Sequence, residues 1–359
     1  MLTFDIPMQR LYSQHLLGPK FNSAADVVAH FGAVQAQDYA GAKWAVAQRA
    51  HGLTDADLDR ALADGSILRT HVLRPTWHFV TPDDIRWLLA LTAPRVKAAC
   101  ASRWRQLGLD EALFKRSHAA LGKALRNGPL SRPQVGAALT QAGVLAAGDP
   151  RLSHVLMQAE LDGLIGSGGR QGKQFTYALL DQRAPKVKTL PRDEALAELT
   201  RRYFTAHGPA TEQDYAWWSG LTLSDVRRGL ESIKSQLRRE VIDDQDYWLA
   251  ESHSPIKEAR PTATLLPNFD EYAVGYTDRR AIFDAVHTPQ LDARNAGLAL
   301  SQTVLIRGQI VGTWQRTVQK NAVRLELNPF RPLTAIEQQA IAQAAAAYGA
   351  FLGLPVIWA

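Results

Sequence analysis

The chain has 359 residues, enough for two or three domains with well-filled cores, and its hydrophobic (46%) and charged (21%) fractions are ordinary for a globular protein. A formal net charge of +6 is compatible with a polyanionic partner but does not require one. A single cysteine, Cys100, excludes an intrachain disulfide. The N-terminal sequence lacks the pattern of a signal peptide, and no apolar run reaches about 18 residues, so we expect a cytoplasmic protein of bacterial type that does not cross a membrane.

The first predicted block, residues 1–107, begins with helices and continues with paired strands in ILRTHVLRPTWHFV and a long linker helix. Its predicted helices cover 8–17, 23–37, 42–51 and 55–63. The stretch GAVQAQDYAGAKW therefore places Gln35 and Gln37 at the end of the second helix, with Asp38 directly after them. Two interpretations stay open at this point: amides that cap a helix end, or amides that hold a water molecule in a pocket.

Two further blocks, 108–184 and 185–255, repeat one pattern. Each contains a Gly-Pro pair (Gly128-Pro129 and Gly208-Pro209) followed by a helix-start residue, Ser131 or Thr211. In each block three helical runs precede a pair of strands, which is the order of a winged helix. The glycine-rich run at 166–172 precedes a strand, whereas a phosphate-binding loop leads into a helix, so we interpret it as a wing tip and expect no nucleotide cofactor.

Winged helices usually bind DNA through a recognition helix, which makes a transcription regulator the default interpretation. The recognition helix of the second block is largely apolar and carries Glu160 and Asp162, which disfavours phosphate contacts there. The corresponding helix of the third block carries Arg227, Arg228 and Lys234, which either contact DNA or form a solvated helix face. An apolar recognition helix suggests winged helices that pack on one another and bind DNA on a joint surface.

The last predicted block, 256–359, is rich in strands. Strand-like runs occur in TATLLPNFDEYAVGYTDR, QTVLIRGQIVGTWQRTV and AVRLELNPF, with Gly308 and Gly312 at turn or bulge positions, before a helix and the short strand PVIW. The predicted fold is α+β, with three tandem winged-helix (helix-turn-helix) motifs and a β-rich C-terminal module. The sequence contains no His-Glu-x-x-His and no paired-cysteine motif, so we expect neither a metal nor another cofactor.

Four segments together resemble the AlkZ/YcaQ-type winged-helix DNA glycosylases: AVQAQDYAGAKWAVAQR, LRTHVLRPTWHFV, LLPNFDEYAVGYTDR and GQIVGTWQR. They lie in the order found in that family and extend over most of the chain. The resemblance implies tandem winged helices around a central cleft and the removal of bulky alkylated bases from DNA. It also implies that Gln35 and Gln37, flanking Ala36, hold the hydrolytic water; Asp38 lies one position too late for the Gln-x-Asp branch of the family.

The chemistry of the implied substrate agrees with two amides. Cleavage of an N-glycosidic bond passes through an oxocarbenium-like state, and an ordinary base needs protonation before it leaves. An N7-alkylpurine already carries a positive charge, so the attacking water needs placement more than deprotonation. Glutamine offers one acceptor and two donors and does not titrate, which suits that task.

Further candidate residues are assigned to DNA contact. The resemblance places the hairpin motif Arg-Gly-Thr-x-His at residues 74–78, with Pro75 in the glycine position. We expect Lys43 to contact phosphate or solvent and not to act as a Schiff-base nucleophile. For His71, His78, Trp77 and Trp44 the alternative is a structural role. For Arg307, Arg316 and Lys320 the alternative is scattered surface charge. The predicted DNA-binding residues are Asp38, Lys43, Arg69, His71, Arg74, Thr76, Trp77, His78, Arg307, Arg316 and Lys320.

Two functions follow from the sequence. The first is a metal-independent, monofunctional DNA glycosylase that hydrolyses cationic alkylated purines of the N7-alkylguanine type, with interstrand crosslinks as a further substrate class, in double-stranded DNA. This enzyme would act as a nucleoid-associated monomer in DNA repair. The alternative is a non-catalytic winged-helix DNA-binding protein or transcription regulator. Asp270 and Glu271 suggest a sugar hydrolase only weakly, and a structural role for Asp270 is favoured.

Overall fold

A computed structural model describes residues 4–184, 189–251, 261–283 and 296–359. It is a mixture of helices and strands, as the predicted α+β class requires. The predicted domain boundaries at 184/185 and 255/256 fall at or within segments outside these residues. Within the described residues, no helix combines the length and apolarity needed to cross a bilayer.

The N-terminal part forms a short helix and then a compact helix and sheet unit. Its elements are α1 (Ile6–Ser13), α2 (Ala24–Phe31), β1 (Val34–Gln35), α3 (Tyr39–Ala47), α4 (Asp55–Asp64), β2 (Leu68–His71) and β3 (Trp77–Val80). The three strands form one sheet in the order β1-β3-β2. The predicted helix over 23–37 is therefore too long. Gly32, with φ of 78°, ends α2 because this conformation strains other residues, and the chain after it becomes strand β1.

The long helix α5 (Ile85–Gln106) leads into the second unit. Its elements are α6 (Glu111–Ala124), β4 (Leu130–Ser131), α7 (Arg132–Gln141), α8 (Leu152–Leu161), β5 (Ile165–Gln171), β6 (Gln174–Leu179) and α9 (Leu180–Arg183). The sheet order is β4-β6-β5. Ser131 begins α7 as predicted, and its backbone N–H donates to the side chain of Gln134 at 2.8 Å. Most of the predicted wing tip at 166–172 lies within β5, which has an irregular register after Ser167.

The third unit repeats this order of elements. It contains α10 (Arg192–His207), α11 (Glu212–Ser219), α12 (Leu223–Ile233), β7 (Leu237–Ile242) and β8 (Gln245–Ala250). Ala210 makes an isolated bridge with Trp248 of β8, so it occupies the place that β1 and β4 occupy in the first two units. Thr211 begins α11, and its hydroxyl accepts from the N–H of Asp214 at 3.1 Å, as the sequence predicts.

The C-terminal module contains a five-stranded sheet, which agrees with the predicted β-rich character. Its elements are β9 (Ala263–Leu266), α13 (Glu271–Val274), α14 (Ala296–Ala299), β10 (Thr303–Ile306), β11 (Gln309–Val318), β12 (Val323–Pro329), α15 (Ala335–Leu352) and β13 (Val356–Trp358). The strand order is β13-β12-β11-β10-β9. The run after Leu266 is not a strand, because Asp270 caps the short helix α13 there. Gly308 lies in the β10–β11 turn and Gly312 lies beside a register shift, as expected.

The C-terminal module and the first unit share one hydrophobic core. Trp44 of α3 contacts the rings of Tyr348 and Phe351 of α15, with ring centroids 5.0 and 5.2 Å apart, and its indole N–H donates to the carbonyl of Leu265 at 2.7 Å. A buried ion pair joins Arg49 to Asp270 at 2.7 Å. This pair gives Asp270 the structural role that the sequence suggests. The module is thereby held against the first unit.

Candidate active site

Gln35 and Gln37 lie at the end of β1 and in the first residues after it. The ladder continues past β1, because the N–H of Ala36 donates to the carbonyl of Trp77 at 2.7 Å. Both amides contact the β2–β3 hairpin: Gln35 Oε1 accepts from Arg74 Nη2 at 2.8 Å, and Gln37 Oε1 accepts from the N–H of Trp77 at 3.4 Å. Gln35 is 7% exposed and Gln37 is exposed. One amide is thus held by the protein and its neighbour faces solvent.

Glu271 of α13 anchors the backbone beneath these amides. Its Oε1 accepts from the N–H of Gln35 at 2.7 Å, and its Oε2 accepts from Trp218 Nε1 at 2.8 Å and from His207 Nε2 at 3.1 Å. Burial raises the pKa of this carboxyl, but the bonds from His207 and Gln35 outweigh burial and leave the pKa below its usual value. Glu271 is therefore a buried carboxylate with three donors.

Sequence reasoning named Glu271 without finding this role. The contact with Gln35 joins residues that are 236 positions apart, and no periodicity or motif spacing indicates such a pair. Trp218 and His207 come from α11 and α10 of the third unit, so three parts of the chain meet at this carboxylate. His207 is fully buried, and burial lowers its pKa.

Arg74 fixes the side chain of Gln35. Its Nη2 donates to Gln35 Oε1 at 2.8 Å, while its Nη1 donates to the carbonyl of Trp218 at 2.6 Å. Arg74 lies in the loop between β2 and β3, in which Leu73 adopts a positive φ of 62°. Pro75 follows with an ordinary negative φ, so the loop accommodates proline in the place where the family motif has glycine.

Arg69 binds the backbone between the two glutamines. Its Nε donates to the carbonyl of Ala36 at 3.0 Å, and its guanidinium lies 4.4 Å from the ring centroid of Trp77 and 4.6 Å from that of Phe175. Burial lowers the pKa of Arg69 to about 10. Trp77 also packs against His71, with centroids 4.4 Å apart and the ring planes tilted by 43°, and it is partly buried. These contacts favour a structural role for both residues over direct DNA contact.

Three predicted DNA contacts lie inside the protein. Lys43 is 3% exposed, and its amine is bound by the carboxylates of Asp55 and Asp59 at 2.7 and 3.2 Å. His71 is 5% exposed and pairs with the buried Glu160. His78 is fully buried, which lowers its pKa to about 3. Their side chains offer no exposed polar group to a phosphate, so their positions argue against the predicted DNA contacts.

The other predicted contacts are distributed over two regions. Asp38 caps α3 by accepting from the N–H of Gly41 at 3.1 Å, and it also accepts from Asn268 Nδ2 at 3.2 Å. Thr76 is partly buried beside Arg74. The remaining three lie along β11 or its flanking turns: Arg307 and Lys320 are exposed, and Arg316 donates to the hydroxyl of Tyr348 at 2.8 Å. Seven residues of β11 lie between the turn that holds Arg307 and Arg316, about 23 Å, so the two side chains offer separate contacts to any ligand.

The site suits the placement of a neutral nucleophile. Gln35 Oε1 is taken by Arg74, which leaves the two N–H groups of that amide as donors. Gln37 Oε1 has a weak contact with the N–H of Trp77, at 3.4 Å, and so keeps capacity as an acceptor. The pair therefore offers donors on one amide and an acceptor on the other. The described residues contain no group of three histidine, cysteine or acidic side chains placed to hold a metal.

Comparison with known proteins identifies the family. The family model described as DNA glycosylase AlkZ-like matches residues 28–351. An interstrand DNA cross-link repair glycosylase of Streptomyces sahachiroi is 25% identical over 350 residues, which cover 93% of this chain and 92% of the relative. The solved structure of the Streptomyces sahachiroi DNA glycosylase AlkZ superposes with a TM-score of 0.79 at 22% identity, covering 99% of this chain and 98% of that one. The chain therefore belongs to the AlkZ-like DNA glycosylase family, as the four sequence segments predict, and it is a DNA glycosylase.

Proposed function

We propose that this protein hydrolyses the N-glycosidic bond of cationic alkylated purines of the N7-alkylguanine type in double-stranded DNA, with water held by Gln35 and Gln37. The observation that carries the proposal is the asymmetric fixing of the two amides. The backbone N–H of Gln35 is held by Glu271 and its side-chain oxygen Oε1 by Arg74, while the side chain of Gln37 is exposed. This arrangement leaves donors on Gln35 and an acceptor on Gln37, both beside the same hairpin.

The proposed reaction needs no proton transfer to the leaving base. The oxygen of water forms a bond to C1′ of the deoxyribose as the bond from C1′ to N9 of the purine breaks. The electron pair of the broken bond moves onto the purine and neutralises its positive charge, and the extra proton of the water leaves to solvent. The amides contribute by holding the water in line with C1′, since neither can accept a proton at neutral pH.

Nearby charged groups support a neutral mechanism. Glu271 is 1% exposed, and its two oxygens already accept from Gln35, His207 and Trp218, which argues against its acting as a base on the attacking water. The amine of Lys43 is bound by two carboxylates, which argues against a lysine nucleophile and a lyase step. An unmodified base is a poor leaving group, so weak assistance of this kind is selective for a base that already carries charge.

Three units with one order of elements support a winged-helix architecture for DNA binding. Each has a helix, a strand or bridge, two helices and two strands, with the first strand or bridge paired to the last strand. We infer three tandem winged helices that bind one duplex as a monomer. In this assignment α2, α3 and α4 are the helices of the first unit. The relative's name as an interstrand crosslink repair enzyme supports crosslinked duplexes as a further substrate.

A duplex with one N7-methylguanine tests the proposal when base release is followed as abasic sites under single-turnover conditions. We expect release by the wild-type protein, and we expect Gln35→Ala and Gln37→Ala to bind the duplex normally and to lose at least tenfold in rate. Gln339→Ala removes an exposed glutamine from α15 and is the matched control. A duplex with an N7-linked interstrand crosslink, assayed in parallel, tests the further substrate.

Two results would overturn these assignments. Parental release rates in both glutamine variants would exclude the proposed roles of the amides. Tight DNA binding with no release from either duplex would exclude both proposed substrate classes.

A further inference from the structure

Trp217 of α11 is unusually exposed for a tryptophan that the protein holds in place. Its side chain is 46% accessible, whereas the next residue, Trp218, is fully buried. Its indole N–H donates to the carbonyl of Val274 at 3.2 Å, so the ring is fixed with part of its surface open. Exposing a large aromatic surface to water is unfavourable, and a partner that covers the ring would gain that area.

Two guanidinium groups flank this ring. The Cζ atoms of Arg74 and Arg279 lie 5.9 and 5.8 Å from its centroid. Among the described residues, the hydrogen bonds of Arg74 go to the uncharged oxygens of Gln35, Trp217 and Trp218. Arg279 donates to the carbonyl of Ala273 at 2.8 Å. Neither guanidinium has a carboxylate within 4.0 Å in the part of the chain that the structure describes.

Three other arginines of this part of the chain are paired with carboxylates. Arg280 pairs with Asp278 at 2.6 Å, so the one acidic side chain next to Arg279 in sequence is already engaged. On α12, Arg227 and Arg228 pair with Glu212 and Asp193 at 2.9 and 2.7 Å. Arg74 and Arg279 thus lack the close ion pairs that Arg227 and Arg228 make on the predicted recognition helix, although the carboxylates of Glu271 and Asp214 act on them at longer range. The combination of an open aromatic ring and two such charges fits a nucleobase and the phosphates beside it.

The Trp217 patch, defined as Trp217, Arg74 and Arg279, adjoins the candidate catalytic amides. Arg74 contacts both, since its Nη2 donates to Gln35 Oε1 at 2.8 Å and its Nη1 donates to the carbonyl of Trp217 at 3.3 Å. Arg74 thus joins the patch directly to the candidate catalytic amides.

We propose that the Trp217 patch is a DNA-contact surface next to the catalytic amides. The indole of Trp217 stacks on a base flanking the lesion, and Arg279 binds a phosphate of the same strand. Stacking compensates for the loss of base stacking when the lesion is displaced, and it is tolerant of sequence because every base has a π-face. That the stacked base lies next to the lesion rests on the function proposed above. The contact between the patch and DNA does not depend on it.

Fluorescence anisotropy with an undamaged duplex and with the N7-methylguanine duplex measures the contact. Base–aromatic stacking is worth about 1–3 kcal/mol, so we expect Trp217→Ala to weaken DNA binding by about 5- to 150-fold and Trp217→Phe to retain most of the affinity. Trp358→Ala is the matched control, because that residue is also 46% exposed but lies on the edge strand β13. Circular dichroism melting confirms that each variant is folded.

The salt dependence of binding tests Arg279. Loss of one phosphate contact reduces the slope of log affinity against log salt by about 0.9, so we expect this change in Arg279→Ala and restoration in Arg279→Lys. Folded Trp217→Ala and Arg279→Ala proteins with wild-type affinity and salt slope would overturn the patch. If the wild-type protein releases no base but the two variants still lose DNA affinity, the patch stands and the proposed function fails.

Discussion

The carboxylate of Glu271 accepts a hydrogen bond from the backbone N–H of Gln35 at 2.7 Å, across 236 residues of sequence. This bond connects the C-terminal module to the strand that carries the candidate catalytic amides. The same carboxylate binds Trp218 and His207 of the third unit, so one buried charge fixes the position of Gln35 relative to two other parts of the fold. Its substitution tests whether that position matters for base release.

We expect Glu271→Gln to lower the single-turnover rate of base release by about tenfold to a hundredfold without changing DNA affinity. The variant keeps the shape of the side chain but removes the charge, so the bond to Gln35 weakens and the amide shifts relative to C1′. Rate and affinity are measured separately with the N7-methylguanine duplex.

Glu337→Gln is the control for stability alone. Glu337 is also a buried carboxylate that binds a backbone N–H, that of Thr334 at 2.9 Å, but it lies at the start of α15. In both variants the free energy of unfolding, measured with urea, should fall by about 1–3 kcal/mol. Equal rates of base release in the two variants would show that Glu271 has no positioning role.

Arg74 contributes charge for DNA binding and a hydrogen bond that fixes Gln35, and substitution can separate these two roles. Arg74→Lys keeps a positive charge but lacks the planar fork that contacts Gln35 and Trp218 together. We expect this variant to keep most of its salt-dependent DNA affinity and to release base about tenfold more slowly. Arg74→Ala should lose both properties. A lysine variant with full activity would mean that the bond to Gln35 is dispensable.

Local signals in the sequence predicted much of the fold. Ser131 and Thr211 begin helices where their capping patterns indicated, because an N-cap depends on residues within one turn. Gly308 and Gly312 lie at a turn and beside a register shift for a similarly local reason. The helix over 23–37 was wrong because apolar residues at 33, 34 and 36 fit a buried strand as well as a helix, and Gly32 decides between them.

Long-range contacts decide the rest of the site and were beyond sequence reasoning. The family motif gave Gln35 and Gln37, but charge alone suggested that Lys43 faces solvent, whereas Asp55 and Asp59 bind it inside the protein. His71 similarly meets Glu160 from another unit. Trp217 carried no signal that separated it from the adjacent buried Trp218, since which of two neighbouring residues faces the core depends on what α11 packs against.

Arg227 and Arg228 of α12 are not expected to contribute to DNA binding. Arg227 and Arg228 are exposed but paired with Glu212 and Asp193, so they are not free to neutralise phosphate. We expect the double variant Arg227→Ala/Arg228→Ala to keep wild-type DNA affinity and salt slope. Two lost phosphate contacts would instead reduce the slope by about 1.8, a difference that titrations between 50 and 200 mM salt resolve.

The partly buried His30 and the fully buried His78 should make the fold sensitive to acid. Burial lowers the pKa of His30 and of His78 to about 3, against an ordinary value of about 6.5. Between these pH values the unfolded chain binds protons that the folded protein does not, so the free energy of unfolding falls as the pH falls. Each histidine contributes a slope of about 1.4 kcal/mol per pH unit, or about 2 kcal/mol between pH 7.5 and 5.0.

Urea unfolding at pH 7.5 and pH 5.0 measures this loss, and His30→Gln should reduce it by about 2 kcal/mol. The glutamine keeps a donor for the carbonyl of Ser13, which His30 Nε2 contacts at 2.9 Å, but it binds no proton in the unfolded chain. His51→Gln is the control, since that residue is exposed. The chosen range stays above the pH at which Glu271, whose pKa is lowered, takes up a proton. An equal acid loss in wild type and His30→Gln would contradict an uncharged His30 imidazole in the folded protein.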